Sequence, residues 1–486
     1  MTKKNPKKII ILLAAFALWI ATFFTEPVLF DVAQRTERLV HYITFRVLFF
    51  VCLTLIVSFV YNVISSFADK KPGCEAWSLI YAVPLWIFIF VYWKFKANLL
   101  IGSEEMSIIR DALAYKTVNG VFTYITSYYN MMAMMLIQSV CAPIIIKIII
   151  LGLTCGYAVF RLRRVLPSVF AYLIYFAFIF PPSLHLSYSA HRTPMYGLLY
   201  LFLAVKLICD YMEKKEFTRR DLITLSVIIA VLTVWRTEGI YMLVLGPVVT
   251  AFAYRIKVKK TVAGLVGAVL FFEIIAFVPK TYEEPLTIEN YGKHQITPFY
   301  NYVITNMLLN GLDREKYSSE LETVENYLHI DFIDIMGAEH GEHIMDEGYA
   351  TYDYMYRTVN PDATEEILSD YESTVLHLIF KEPWLFITGQ LRAFNHISTH
   401  YGRLCLSSLF GNLWVVVAIV LALMIWALVK KNWFFFVLSL CPLAHGAITT
   451  VLLPAAYFKY YYPEYLFVWF IIALAASYFI KKPKKG

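Results

Sequence analysis

Apolar stretches of membrane-crossing length recur along the chain, at 9–24, 45–65, 78–93, 142–160, 167–186, 194–211, 222–235, 240–254, 262–278, 413–429, 433–453 and 465–480. A helix needs roughly 20 apolar residues to cross the hydrocarbon core, so the pattern predicts about 12 transmembrane helices. The runs at 222–235 and 240–254 are short, which suits a shallow hairpin or a pair shielded by protein. One long polar stretch, 280–403, interrupts the series and predicts a sizeable, mainly helical domain in water. The expected fold class is thus an all-α polytopic membrane protein. Its parts are an N-terminal transmembrane module over 1–279 with an outer loop near 97–130, a loop domain over 280–410, and C-terminal transmembrane helices over 411–486.

Composition agrees, since 59% hydrophobic, 17% aromatic and only 16% charged residues lie far from an ordinary soluble domain. Charge changes the picture more, because loops facing the cytoplasm collect Lys and Arg. Alternate connections carry Lys3, Lys4, Lys7 and Lys8; Lys70 and Lys71; Arg161, Arg163 and Arg164; Lys214, Lys215, Arg219 and Arg220; Arg255, Lys257, Lys259 and Lys260; Lys430 and Lys431; and Lys481, Lys482, Lys484 and Lys485. Both termini are therefore expected in the cytoplasm, with an even number of spans and the 280–403 segment outside. That segment holds 21 of the 36 acidic residues and 8 of the 43 basic ones, so it carries −13 against +20 for the rest. The basic part reads as cytoplasmic anchoring. With no basic patch interleaved by aromatics, no nucleic-acid partner is expected.

The first apolar run follows a basic start but lacks a small-residue cleavage site, Thr22 to Pro27 being bulky, and is expected to remain as a span. The seven Cys show no paired spacing, and five of them (Cys52, Cys141, Cys155, Cys209 and Cys441) lie in or beside apolar runs as small hydrophobes.

Polar residues at the apolar layer are costly and therefore informative. They gather at the outer ends of the spans, which suggests chemistry at the membrane surface more than a path through it. The first group, 101–115, predicts an interfacial helix capped by Ser103, with an apolar stripe of Met106, Ile109 and Leu113. Glu104 and Glu105 in its first turn favour the helix dipole; a carboxylate partly buried at the lipid boundary also suits a general base. The second group is the turn 187–196, where Arg192 suits either a phosphate group or lipid headgroups. The third, 234–241, sets Arg236 near Glu238, as a mutual ion pair or as functional charges, with Gly239 permitting a sharp turn. The fourth, 457–464, places Lys459 among tyrosines of an aromatic belt.

Trp384, Ile387, Leu391 and Phe394 form a further interfacial stripe, and Arg392, His396 and His400 share one face if that helix continues. Glu339, His340, Glu342 and His343 do not match the helical pattern of two histidines four apart, and no metal site is expected there. Glu273 and Lys147 lie inside spans, as packed, paired groups or, for Glu273, as a functional one.

The segments 103–115, 191–196, 235–239, 383–394 and 460–463 resemble, in this order, the motifs of GT-C fold membrane glycosyltransferases, which use lipid-linked sugar donors. The resemblance implies a catalytic base at Glu104 or Glu105, with Asp111 two helical turns along as a fallback, and Asp31 if the first two spans are not an added pair. It implies that Arg192, Arg236, Lys459 and Arg392 bind the donor phosphate. The implied reaction displaces a polyprenyl phosphate from the anomeric carbon while a carboxylate takes the proton of the acceptor hydroxyl. The acceptor is a glycan, a lipid or a protein; membrane lipids are the other partner. No cofactor is expected, although a divalent ion is compatible with the chemistry. A flippase or transporter of lipid-linked saccharides also suits about 12 spans, a polysaccharide polymerase suits the large outer loop, and a non-catalytic scaffold suits the acidic domain.

Overall fold

The computed structural model describes residues 6–70, 72–96, 103–117, 124–256, 264–267, 269–270, 287–291, 293–340, 358–400, 412–452 and 458–480. Glu273, the span expected at 262–278 apart from six of its residues, Glu342, His343, Arg403 and Tyr457 lie outside them, as do the side chains of Glu104, Glu339, His340 and His400. Among the described residues the chain is all-helical, with one isolated bridge between Leu328 and Val359 and no strand.

Six helices are long and apolar enough to cross a membrane, which fits a multi-pass membrane protein. They include α1 (Pro6–Thr25), α2 (Leu39–Ala68) and α3 (Cys74–Lys96). The amphipathic α4 (Ser103–Leu113) and α5 (Tyr124–Leu136) follow, then α6 (Ala142–Val165). The expected span at 167–186 is instead broken into α7 (Ser168–Ala171), a 3-10 turn, α8 (Phe176–Ile179) and α9 (Pro181–Ser187). Phe180 is extended, with ψ 148°, because the ring of Pro181 disfavours a helical residue ahead of it. After it come α10 (Thr193–Met212), α11 (Arg219–Trp235) and α12 (Met242–Ala253). The later apolar helices, Leu413–Val429, Trp433–Leu452 and Tyr462–Ile480, fall where the apolar runs predict them.

The chain divides into two compact units. The first gathers Met1–Glu284, Leu423–Cys441 and Tyr462–Gly486, and the second Pro285–Ala422 and Pro442–Tyr461. In the first unit α10 is buried nearly all round, whereas α1 and α2 leave large apolar side chains such as Leu13 and Leu55 exposed. In the same unit α3 packs closely on α6. Gly152 and Gly156, one turn apart, turn the same face of α6 toward α3, where Trp86 donates its indole N–H to the Ile148 carbonyl at 3.0 Å. A Cβ on Gly156 would stand 2.0 Å from the Ser78 carbonyl oxygen. Small residues spaced this way let two backbones approach within a membrane. Gly156→Ala is expected to force the pair apart at about 1–3 kcal/mol and to lower the thermal midpoint in detergent. Gly264→Ala, where no atom lies within 4 Å of the new Cβ, serves as the unaffected control.

The end of α10 opposite Thr193 carries an ionic cluster. Asp210, with no exposed surface, accepts hydrogen bonds from Arg161 at 2.7 Å, Lys206 at 2.9 Å and the Tyr254 hydroxyl. Asp221 accepts from Lys206 at 2.7 Å and Lys215 at 3.1 Å while closing a capping box with Thr218 at the start of α11. Three cations thus meet three carboxylates, Glu213 being the third.

The second unit, all helix and turn among its described residues, centres on the Pro298–Leu309 helix, which packs on the helices Glu365–Lys381 and Pro383–His400. Tyr371 stacks on Tyr327 at 4.4 Å and donates to Asn301 at 2.7 Å. Asn306 donates to Gln390 at 3.1 Å, and Gln390 in turn to the Val451 carbonyl at 3.0 Å.

Candidate active site

The site is built from α4, the turn between α9 and α10, and the turn after α11. In α4 the buried face is Glu105, Ile108, Ile109 and Ala112, at helical spacing, while Met106 is exposed. This corrects the expected stripe of Met106, Ile109 and Leu113 by rotating it. A carboxylate is thereby carried inward, and burying one requires partners. His191 supplies one: its Nδ1 contacts Glu105 Oε1 directly. The carboxylate can only accept, so the Nδ1 position carries the hydrogen.

The turn holding His191 is pinned from below. Lys147, fully buried in α6, donates Nζ to the carbonyls of Leu186, at 2.8 Å, and Ser189. It satisfies the end of α9 that would otherwise leave orphan carbonyls, and it lies within electrostatic reach of Glu105. Lys147 is thus the packed, paired group that its place inside a span predicts. Ser189 Oγ accepts the His191 backbone N–H at 2.9 Å, closing the turn.

Arg192 follows as the N-cap of α10, with Pro194 in the first helical turn. Its carbonyl accepts the indole N–H of Trp235 at 3.1 Å. Arg236 comes next to the same place. It holds Glu238 through Nε, at 3.2 and 3.1 Å, and Nη2, at 2.5 Å, and donates Nη1 to Thr193 at 2.5 Å. The mutual ion pair, one of the two readings of Arg236 and Glu238, is therefore present, and both members are almost fully buried. Gly239 is required by close approach, since a Cβ there would meet the Leu232 carbonyl oxygen at 2.1 Å. Behind the pair, the hydroxyls of Tyr196 and Tyr241 stand 3.3 Å apart.

Glu105 meets His191, the next residues along the chain are Arg192 and Thr193, and Thr193 receives Arg236, which holds Glu238. Glu104 is in α4. Asp111 is half-buried in the last turn of α4, and its carbonyl accepts from Ala114 and Lys116 to end the helix. Asp31 is exposed and caps a 3-10 turn through Ala33 N–H at 3.2 Å. Lys459 and Arg392 belong to the second unit. Lys459 lies over the Tyr460 ring, 5.4 Å from its centre, and is almost wholly buried. Arg392 is exposed and donates to Asn310, on a helix that does continue through His396 and His400. Trp384, Ile387 and Leu391 of that helix are exposed, while Phe394 is buried against Trp414 and Tyr461.

Two groups escaped sequence reasoning. His191 falls in the 191–196 segment, where a histidine next to an interfacial arginine is the available signal. Glu26 was not singled out. It has no exposed surface and receives Arg46, Arg35 at 2.6 Å and the Tyr115 hydroxyl. Burial and the Glu26 carboxylate push the Tyr115 phenol well up, which keeps it a donor. This cluster ties the α1–α2 connection to the end of α4, where Tyr115 adopts a left-handed φ of 56°.

Among the described residues no group of three or more His, Cys, Asp or Glu side chains is placed to hold a metal ion. The class this architecture defines is a multi-pass helical membrane protein with a carboxylate–imidazole contact and a buried arginine–glutamate pair at one end of α10. No family model, curated protein or solved structure matches the chain.

Proposed function

We propose that the protein is a GT-C-like membrane glycosyltransferase that moves a sugar from a polyprenyl-phosphate donor to an extracytoplasmic acceptor. The observation that carries this reading is the meeting of Glu105 with His191, directly ahead of Arg192 and the Thr193–Arg236 contact. Residues some 85 and 130 positions apart in sequence order thus bring a carboxylate–imidazole pair and two guanidinium groups to the Thr193 end of α10. Displacement at an anomeric carbon needs both: a base for the acceptor hydroxyl, and fixed positive charge for the departing phosphate. Arg192 is the cation for that phosphate, and Arg236, neutralised by Glu238, orients the turn. Lys459 and Arg392 remain proposed donor contacts from the second unit. Under this reading the chain has about 12 spans, both termini are cytoplasmic, and the acidic segment and the site face outward. A lipid-borne donor cannot leave the bilayer, which explains a site set among interfacial helices.

The test is reconstitution of the full chain in liposomes with a panel of radiolabelled polyprenyl-phosphate hexoses and pentoses, following release of polyprenyl phosphate. Turnover is expected with one donor class. Movement of the labelled lipid between leaflets without release would replace this reading by the flippase alternative.

A further inference from the structure

The Glu105–His191 contact divides the labour between its two members. Glu105 is 6% exposed in its side chain and His191 is 24% exposed, so His191 is the member that an incoming molecule meets. With Nδ1–H turned to the carboxylate, the neutral ring presents Nε2 as an acceptor. Nε2 has no hydrogen-bond partner among the described residues. The ring is held on two sides, by Glu105 at Nδ1 and by the Ser189-closed turn at its backbone. Lys147 fixes that turn through the carbonyls of Leu186 and Ser189. An oriented imidazole backed by a buried carboxylate is a general-base arrangement that recurs on unrelated folds.

We infer that His191 is the catalytic residue that accepts the acceptor hydroxyl proton, with Glu105 and Lys147 as positioning residues; this rests on the glycosyltransferase reading. In the step, the acceptor oxygen forms a bond to the anomeric carbon as the bond from that carbon to the phosphate oxygen breaks. The electron pair of the broken bond leaves with the polyprenyl phosphate. The hydroxyl proton moves to Nε2, the resulting imidazolium stays bonded to Glu105 through Nδ1–H, and water later removes the proton.

The experiment uses the full chain, wild type, His191→Ala, His191→Asn and Glu105→Gln, in the liposome assay above. His191→Ala is expected to lose roughly 10²–10⁴-fold in release of polyprenyl phosphate, and added imidazole to recover roughly tenfold over its residual rate. A merely structural histidine would give no such recovery. Release by His191→Ala or His191→Asn within about threefold of wild type, or a loss that imidazole does not relieve, overturns the assignment. A second readout is independent of transfer: carbethoxylation of His191 by diethylpyrocarbonate, followed by mass spectrometry. Glu105→Gln is expected to slow it several-fold while leaving His329 and His377, both about half exposed, unchanged as internal standards. If wild type turns over no donor, the glycosyltransferase reading fails, and this rate alone decides whether Glu105 makes His191 basic; an unchanged rate then overturns the pairing.

Discussion

Under the proposed glycosyltransferase activity, transfer by Glu105→Gln is expected to fall about 10²–10⁴-fold, equal to about 2.7–5.5 kcal/mol of transition-state stabilisation, with donor affinity little changed. The amide is nearly isosteric, so α4 keeps its packing through Ile108, Ile109 and Ala112. What changes is the group facing His191 Nδ1. A carboxylate can only accept from that nitrogen, whereas an amide can also donate to it and leave the ring with its hydrogen on the wrong side. In the proposed step it also removes the negative charge that would stabilise the imidazolium formed as the acceptor loses its proton. Steady-state release of polyprenyl phosphate over a range of donor concentrations separates the two effects. A drop confined to kcat identifies a transition-state role, and a change confined to KM would assign Glu105 to donor binding instead. Glu104→Gln, one residue earlier on the same helix, tests the alternative carboxylate, and a comparable loss there would move the role away from Glu105.

Asp210→Leu is expected to destabilise the protein by about 3 kcal/mol, at the lower end of the range for removing one partner of a buried ion pair. Asp210 is the shared acceptor of Arg161, Lys206 and Tyr254 at one end of α10. Its loss turns a neutral group of three cations and three carboxylates into one with a net positive charge inside the protein. The remaining partners soften the effect, because Arg161 keeps Glu213 at 3.2 Å and Lys206 keeps Asp221 at 2.7 Å. Asp210→Asn keeps two acceptor lone pairs and is expected to cost less. Thermal unfolding in detergent, read by tryptophan fluorescence, checks both. A midpoint for Asp210→Leu within about one degree of wild type would show that the cluster does not hold α6, α10 and α12 together. The cluster is separated from Thr193 along α10 by about 25 Å at 1.5 Å per residue, so transfer measured below the unfolding range should not discriminate Asp210→Asn from wild type.

The helices were legible wherever one apolar environment surrounds the segment. The run at 413–429 matches its helix end to end, and those at 433–453 and 194–211 agree within a residue. The break at Phe180 was also encoded, in Pro181 and Pro182, but average hydropathy over a window does not register a backbone restriction. The shape of α6 was hidden differently. Gly152 and Gly156 stand in an apolar run like any other small residues until the approach of α3 shows what they admit.

The candidate site divides along the same line. The polar residues Glu105, Arg192, Arg236 and Glu238 stood out as charges beside apolar runs, because a charge at the hydrocarbon boundary is expensive unless it is paired. Their grouping did not. On α4 both lipid and protein would offer an apolar surface, so the residue pattern alone does not say which face turns inward, and the rotation that buries Glu105 and exposes Met106 keeps only Ile109 of the expected stripe fully buried. Glu26 was concealed for another reason: its three donors come from Arg35, Arg46 and Tyr115, up to 89 positions away.

Chain chemistry was sufficient for the all-helical membrane class and the position of most apolar helices, since hydrophobic burial and backbone hydrogen bonding act locally along the chain. Pairing of Glu105 with His191, of Arg236 with Thr193, and of Lys147 with two carbonyls required the packed bundle. Those contacts join segments that are close only after α4, α6, α10 and α11 have stacked, and nothing in their local periodicity encodes the approach.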